Sequence, residues 1–315
     1  MASTSVREGW SLGDAPSLDG RIAIVTGATG GLGYETALGL ARRGATTILA
    51  GRNQAKGAQA LLRLQRSIPS ATARFELLDL GSLASVARFA ASVSEAHGAI
   101  DILVNNAGVM GMPARSVTED GFEQQIGVNY LAHFALTARL KDALCKARGG
   151  GRVVSVASLA HKRAAPILED LQAEQSYQPM RVYGRSKLAM LIFAIELQRR
   201  AVQNDWNLLS IAAHPGWART DIIGNSAGGG KLGLKERVIS GVFRVVAQSA
   251  RDGALPSLYA AMAPQAKGGA YYGPTGPGET RGAPGPSRIS AQAADPVVGS
   301  RLWALSEQLT GVTFA

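Results

Sequence analysis

Short runs of consecutive apolar residues alternate along the chain with longer stretches in which apolar positions recur every three to four residues. The runs are "RIAIVT" (21–26), "TTILA" (46–50), "ARFELLD" (73–79), "IDILVNN" (100–106), "RVVSVAS" (152–158) and "LLSIAAHPG" (208–216). Their near-continuous apolarity predicts strands buried on both faces. Helical periodicity predicts helices over about 31–43, 53–67, 82–97, 119–147 and 181–201. Strand and helix in strict alternation imply a parallel sheet covered on both sides, a doubly wound α/β fold. No fixed-period repeat or linker divides the pattern. Residues 21–315 therefore read as one domain behind an N-terminal extension over 1–20.

The last third changes character. "RVISGVFRVVAQ" (237–248) predicts an apolar helix, whereas "GGAYYGPTGPGETRGAPGPS" (268–287) is so rich in Gly and Pro that it predicts loop after one short strand at 270–272. Segments of this kind cover sites more often than they build sheets, so 222–290 is read as a substrate lid and loop region.

Composition sharpens this only in places. With 46% apolar and 18% charged residues among 315, the chain has ample material for a core. The net charge is 33 − 23 = +10, but the basic residues are scattered, with no run of five or six to suggest a nucleic-acid partner. Such a field favours an anionic ligand, for example a phosphorylated cofactor. Cys145 stands alone, so no intrachain disulfide forms, and its position reads as a structural thiol. Residues 1–20 hold no apolar stretch of signal-peptide length. The longest apolar run, 188–195, is shorter than the roughly 20 residues that span a bilayer. A cytoplasmic protein without a membrane span is expected. The four histidines, at 97, 133, 161 and 214, lack metal-ligand spacing, so no metal is expected.

"TGATGGLGYETA" (26–37) places four glycines where the first helix must begin, although glycine is a poor helix former. The density implies a close approach to the backbone. In a first strand-to-helix turn, backbone N–H groups and the helix N-terminus attract a pyrophosphate. The spacing Gly27-x-x-x-Gly31-x-Gly33 differs from the commoner G-x-G-x-x-G. Farther on, Tyr183 and Lys187 lie four apart on a predicted helix and project from one face. A nearby ammonium favours phenolate and lowers a tyrosine pKa from about 10, which suits acid/base work at a carbonyl or alcohol.

"TGATGGLG" (26–33), "DL" (79–80), "NNAG" (105–108), "VNYLAHF" (128–134), Ser158, "YGRSK" (183–187) and "HPGWART" (214–220) follow one another over about 190 residues. Together they resemble the short-chain dehydrogenase/reductase family. "GGAYYGP" (268–274) and "LWALSEQLTGV" (302–312) resemble its retinol-dehydrogenase-like branch. The resemblance implies a Rossmann-type fold and a nicotinamide cofactor. On it, Gly27, Thr29, Gly31, Leu32 and Gly33 form the pyrophosphate turn. Asp79 with Leu80 holds the adenine edge, and Asn106, Ala107 and Gly108 line the adenosine half. Pro215, Gly216 and Thr220 sit against the nicotinamide. "LAGRN" puts Gly51 where NAD users of the family carry an acid, followed by Arg52, whose guanidinium can pair with a 2′-phosphate. NADP(H) is the expected cofactor.

The same resemblance implies the catalytic set Asn129, Ser158, Tyr183 and Lys187. Tyr183 is the acid/base, and Lys187 tunes it and binds the nicotinamide ribose. Ser158, rather than the competing Ser155, stabilises charge on the carbonyl oxygen. Asn129 holds a water linking Lys187 to solvent. His161 and Ala132 stand where the family commonly has glycine. The expected reaction interconverts a ketone or aldehyde and its alcohol by hydride transfer. Reduction of an activated C=C bond and a noncatalytic NADP-binding sensor are the alternatives. Met110, Met112 and Trp217 point to a bulky apolar substrate, with Ile222, Ile223, Val242 and Phe243 as lid residues. Monomer and homodimer are both compatible with the sequence.

Overall fold

The computed structural model describes residues 9–164, 166–218 and 248–314. Thr220, the four lid residues and all but the last residue of the expected 237–248 helix lie outside them.

Among the described residues, eight strands form one sheet: β1 (Ile22–Thr26), β2 (Thr46–Gly51), β3 (Ala73–Leu77), β4 (Ile102–Asn105), β5 (Gly151–Val156), β6 (Leu208–Ala213), β7 (Tyr271–Pro274) and β8 (Pro284–Pro286). Their order is β3-β2-β1-β4-β5-β6-β7-β8; the first seven pair in parallel and β8 returns antiparallel to β7. Apolar side chains alternate between the faces. In β1, Ile24 enters one core while Ala23 and Val25 enter the other. Both faces are covered, so both sets must be apolar, which explains the unbroken apolar runs of the sequence.

Among the described residues, seven longer helices flank the sheet: α1 (Gly31–Arg42), α2 (Gln54–Ser67), α3 (Leu83–His97), α4 (Ala132–Cys145), α5 (Pro179–Gln203), α6 (Ala250–Met262) and α7 (Pro296–Thr310). α1, α2 and α6 build one face around Leu40, Leu64 and Leu258. α3, α4 and α5 build the other, where Phe134, Phe193, Trp303 and Phe314 form a buried aromatic group that α7 closes. Asp295 caps α7 by accepting from Val297 N–H, Pro296 fills the first position, and left-handed Gly311 (φ 64°) ends it. No helix among the described residues is long and apolar enough to cross a membrane.

The expected helix over 119–147 begins later. Thr118 N–H donates to the Phe122 carbonyl, and Val117 bridges Glu123, so the chain is still turning there. The Glu123 carboxylate then caps Ile126 N–H at 2.7 Å. Helix starts at Gln124, widens into a π-turn at Gly127–Leu131 around Asn129, and only then continues as α4. The short strand expected at 270–272 is β7, but its partner β8 was not anticipated, because two of its three residues are proline.

Candidate active site

The glycine turn, the C-terminal ends of the parallel strands and the start of α5 enclose one continuous cavity of about 2070 Å³. Gly27, Thr29, Gly31, Leu32, Gly33, Arg52, Asp79, Leu80, Asn106, Ala107 and Gly108 line one part of it. Met110, Met112, Ser158, Tyr183, Lys187, Pro215, Gly216 and Trp217 line the rest. Sequence positions spread over about 190 residues thus converge on one space. Asn129 is the exception, lying fully buried beneath the wall.

The glycine turn is tight for a physical reason. Gly27 takes φ 66°, and a Cβ there would sit 2.9 Å from Ala107 Cα. No side chain caps Gly30, so the N-terminal N–H groups of α1 open onto the cavity. Beside them, Arg52 is exposed and forms no ion pair among the described residues. A Cβ on Gly51 would come within 2.9 Å of Thr29 Cγ2, so the acid that Gly51 replaces has little room. Two further cations, Lys56 and Arg63, line the same end, and Arg63 lies 4.1 Å over the Tyr34 ring. Sequence reading passed over both; their signal was the 56, 59, 60, 63 spacing that puts them on one face of α2. This donor set fits a dinucleotide phosphate.

At the other end, Tyr183 and Lys187 share one face of α5, with the Lys187 ammonium 6.0 Å from the Tyr183 ring centre. Lys187 donates to the Val156 carbonyl at 2.9 Å, and burial pulls its pKa down to about 8. Burial pushes the Tyr183 phenol up, and its hydrogen bond with Ser158 works against that rise. The net shift of Tyr183 therefore runs opposite to the lowering expected from Lys187. Ser158 caps the 3₁₀ turn Leu159–Arg163 by accepting from Ala160 N–H at 3.2 Å. His161 steadies that turn, its Nδ1 donating to the Ser158 carbonyl at 2.6 Å. The competing Ser155 is fully buried, and its hydroxyl does not line the cavity.

Asn129 spends its side chain on structure. Its Oδ1 accepts from Val109 N–H at 2.7 Å, and Nδ2 donates to the Val109 carbonyl and to Ser186 Oγ, both at 2.9 Å. Gly108 runs close above it; a Cβ there would lie 3.1 Å from Asn129 Oδ1 and 3.5 Å from Lys187 Nζ. Asn106 is likewise committed, donating from Nδ2 to the Thr26 carbonyl at 2.8 Å.

His133, unassigned from sequence, joins these two groups. Thr26 Oγ1 accepts from Asn106 N–H and Ala107 N–H, both at 2.9 Å, which fills its lone pairs and leaves its proton to donate. That proton faces both His133 Nε2 at 2.9 Å and the Val104 carbonyl at 3.3 Å; because the Asn129 carbonyl, 3.0 Å from Nδ1, can only accept, Nδ1 carries the ring hydrogen and donates to it. Burial holds this imidazole neutral, with a pKa down to about 4. Its signal in the sequence was its position four residues after Asn129 on the same helical face.

The chain is similar to known proteins in sequence and in fold. A family profile described as "short chain dehydrogenase" matches residues 21–228. Mouse polyprenol dehydrogenase is 38% identical over 302 residues, covering 94% of this chain and 85% of the relative. Human retinol dehydrogenase 13 is 38% identical over 299 residues, covering 94% of this chain and 86% of the relative. Among solved structures, an uncharacterized protein from Mycobacterium Paratuberculosis aligns with TM-score 0.80 and 39% identity, covering 98% of this chain and 99% of its own. A short chain dehydrogenase from Shigella flexneri, solved with NADP, shares the fold at TM-score 0.63 and 23% identity, covering 81% of this chain and 96% of its own.

Proposed function

Because the chain belongs to the short-chain dehydrogenase family, we propose that it is an NADP(H)-dependent oxidoreductase interconverting a bulky apolar ketone or aldehyde and its alcohol. One observation carries this reading: Ser158, Tyr183 and Lys187 stand in the same cavity as the open helix N-terminus and the exposed Arg52. The nicotinamide, when bound, supplies or accepts the hydride.

The residues supply the proton and the orientation. The buried Tyr183 phenol is held in its protonated form at neutral pH, ready to donate to a carbonyl oxygen during reduction. In the alcohol direction it must lose that proton, which the Ser158 hydrogen bond favours. Ser158, whose Oγ accepts from Ala160 N–H, has one proton to give, to the Tyr183 oxygen or, once substrate is bound, to the substrate oxygen. Lys187, pinned to the Val156 carbonyl, orients the ribose and places a cation beside the phenol. Asn129 and His133 hold the backbone on which these groups sit.

Arg52, Lys56 and Arg63 support a 2′-phosphate, and hence NADP(H), over a bare ribose hydroxyl. Met110, Met112, Met180 and Trp217 give the substrate end an adaptable apolar lining. The names of two relatives, a polyprenol and a retinol dehydrogenase, fit an apolar alcohol. The test is turnover of a ketone and aldehyde series with NADPH and NADH. NADPH oxidation that rises with apolar substrate size is expected; faster turnover of small polar carbonyls, or an NADH preference, would overturn the assignment.

A further inference from the structure

The Gly/Pro-rich segment between β7 and β8 doubles back as a hairpin whose tip, residues 275–283, lends Gly278 and Thr280 to the cavity wall. With three glycines and only one proline, a tip of this composition would be loose without an anchor. Glu279 provides one. Its Oε2 accepts from Lys162 Nζ at 2.9 Å and lies 3.5 Å from His214 Nε2, while Oε1 accepts from Arg288 N–H at 3.3 Å.

Each partner belongs to a segment of the site. Lys162 sits in the 3₁₀ turn that Ser158 caps. His214 directly precedes Pro215 and Gly216, and its Nδ1 accepts from Gly216 N–H at 3.2 Å. The ring hydrogen is therefore on Nε2, facing Ser287 Oγ at 2.9 Å and the Glu279 carboxylate. Room for this ring depends on Gly273, where a Cβ would fall 1.9 Å from Nε2. Trp217 N–H donates to the Thr280 carbonyl at 2.8 Å, so the tip rests on the Pro-Gly turn as well. Glu279 itself takes φ 58°, a left-handed conformation that a non-glycine residue holds only where its surroundings fix it.

We propose that Glu279 is a positioning residue for the substrate end: by joining Lys162 on the serine turn to His214 beneath the Pro-Gly turn, it holds the hairpin tip as the far wall of the cavity and so governs the binding of bulky apolar substrates. This rests on the oxidoreductase reading above. Glu279 makes none of its hydrogen bonds to Ser158 or Tyr183 and takes no part in proton transfer.

The test compares wild type with Glu279→Ala and Glu279→Gln on a small and a polycyclic ketone with NADPH, together with amide hydrogen exchange over 275–283. In Glu279→Ala, KM for the polycyclic ketone should rise about tenfold, with KM for the small ketone, kcat and the NADPH dissociation constant changed less than about twofold. Exchange at the tip should rise in parallel. Glu279→Gln, which keeps the shape and an acceptor oxygen, should fall between. Adding Lys162→Met to Glu279→Ala should raise KM no further, since both remove one bridge. A fall in kcat with unchanged KM, equal effects on both ketones, or unchanged exchange would overturn the proposal. Wild-type protein inert toward every carbonyl would instead refute the oxidoreductase reading. Hydrogen exchange would then decide the Glu279 anchor by itself, and unchanged exchange would reject it.

Discussion

Acid should unfold this protein in part through His133, and the size of the effect follows from its surroundings. The ring is fully buried between the Thr26 hydroxyl and the Asn129 carbonyl, and burial lowers its pKa from 6.5 to about 4. The Asn129 hydrogen bond opposes that fall, and the Lys187 charge adds to it. A folded-state value below the unfolded one means that the unfolded chain binds more protons across the interval. The stability tied to this group is therefore intact above about 6.5 and is lost as the pH falls toward about 4. The difference, 6.5 − 4 = 2.5 units at ~1.36 kcal/mol each, amounts to about 3 kcal/mol. His133→Gln removes the titration. It also leaves one of two partners unserved, but that offset does not vary with pH. Urea unfolding followed by tryptophan fluorescence, at pH near 7 and near 4, isolates the slope. Wild type should lose about 3 kcal/mol more than His133→Gln over this range. Contributions from His97, His161 and His214 are common to both proteins and cancel. Equal losses would refute the buried neutral imidazole and the Thr26–His133–Asn129 chain built on it.

Three further outcomes test the site and the core. Tyr183→Phe should abolish turnover while NADPH binding, read by cofactor fluorescence, stays near wild type; Lys187→Ala should weaken both, and full activity in Tyr183→Phe would remove the proton donor assigned above. Arg52→Ala should raise KM for NADPH about tenfold and leave NADH nearly unchanged, consistent with loss of a charge-assisted phosphate contact; equal changes for the two cofactors would count against the 2′-phosphate role. Trp303→Ala should cost about 3–5 kcal/mol in urea unfolding, because the ring fills the space between α4, α5 and Phe314 and lies under the Arg200 guanidinium. A loss below about 1 kcal/mol would mean that α7 is not an integral part of the core.

The sheet was legible because a strand buried on both faces needs an unbroken apolar run, and six such runs stand out along the chain. Ser158, Tyr183, Lys187 and the glycine turn, which the structure brings to one cavity, were legible as spaced motifs. What was not legible depended on contacts between distant segments. Residues 119–123 look helical by periodicity, yet Glu119 N–H donates to the Gly81 carbonyl and Glu123 N–H to Gln172 Oε1, distant partners that delay the helix to Gln124. The π-turn at Asn129 has no local sequence signature, since its side chain is held by Val109 and Ser186 from elsewhere in the chain. Tyr183 lines the cavity beside Lys187, but its pKa shift runs opposite to the expected lowering, because spacing shows the neighbouring ammonium and not the depth of burial. Glu279 read as a loop residue, for the partners that turn it inward lie 117 and 65 positions away (279 − 162 and 279 − 214).

The final hairpin also decides where the sheet stops. A parallel sheet of this kind has two borders, and an unpaired border with regular N–H and C=O groups invites a strand from another molecule. β8 closes one border with Pro284-Gly285-Pro286, in which two of three residues have no N–H to offer. At the opposite border, β3 alternates Arg74 and Glu76, paired with each other at 3.1 Å, across a half-buried strand. An incoming chain would meet missing donors on one side and fixed opposite charges on the other. Crowded solutions of the folded protein are thereby guarded against fibre-like stacking, and the guard consists of side-chain chemistry at the margins that the interior packing neither needs nor provides.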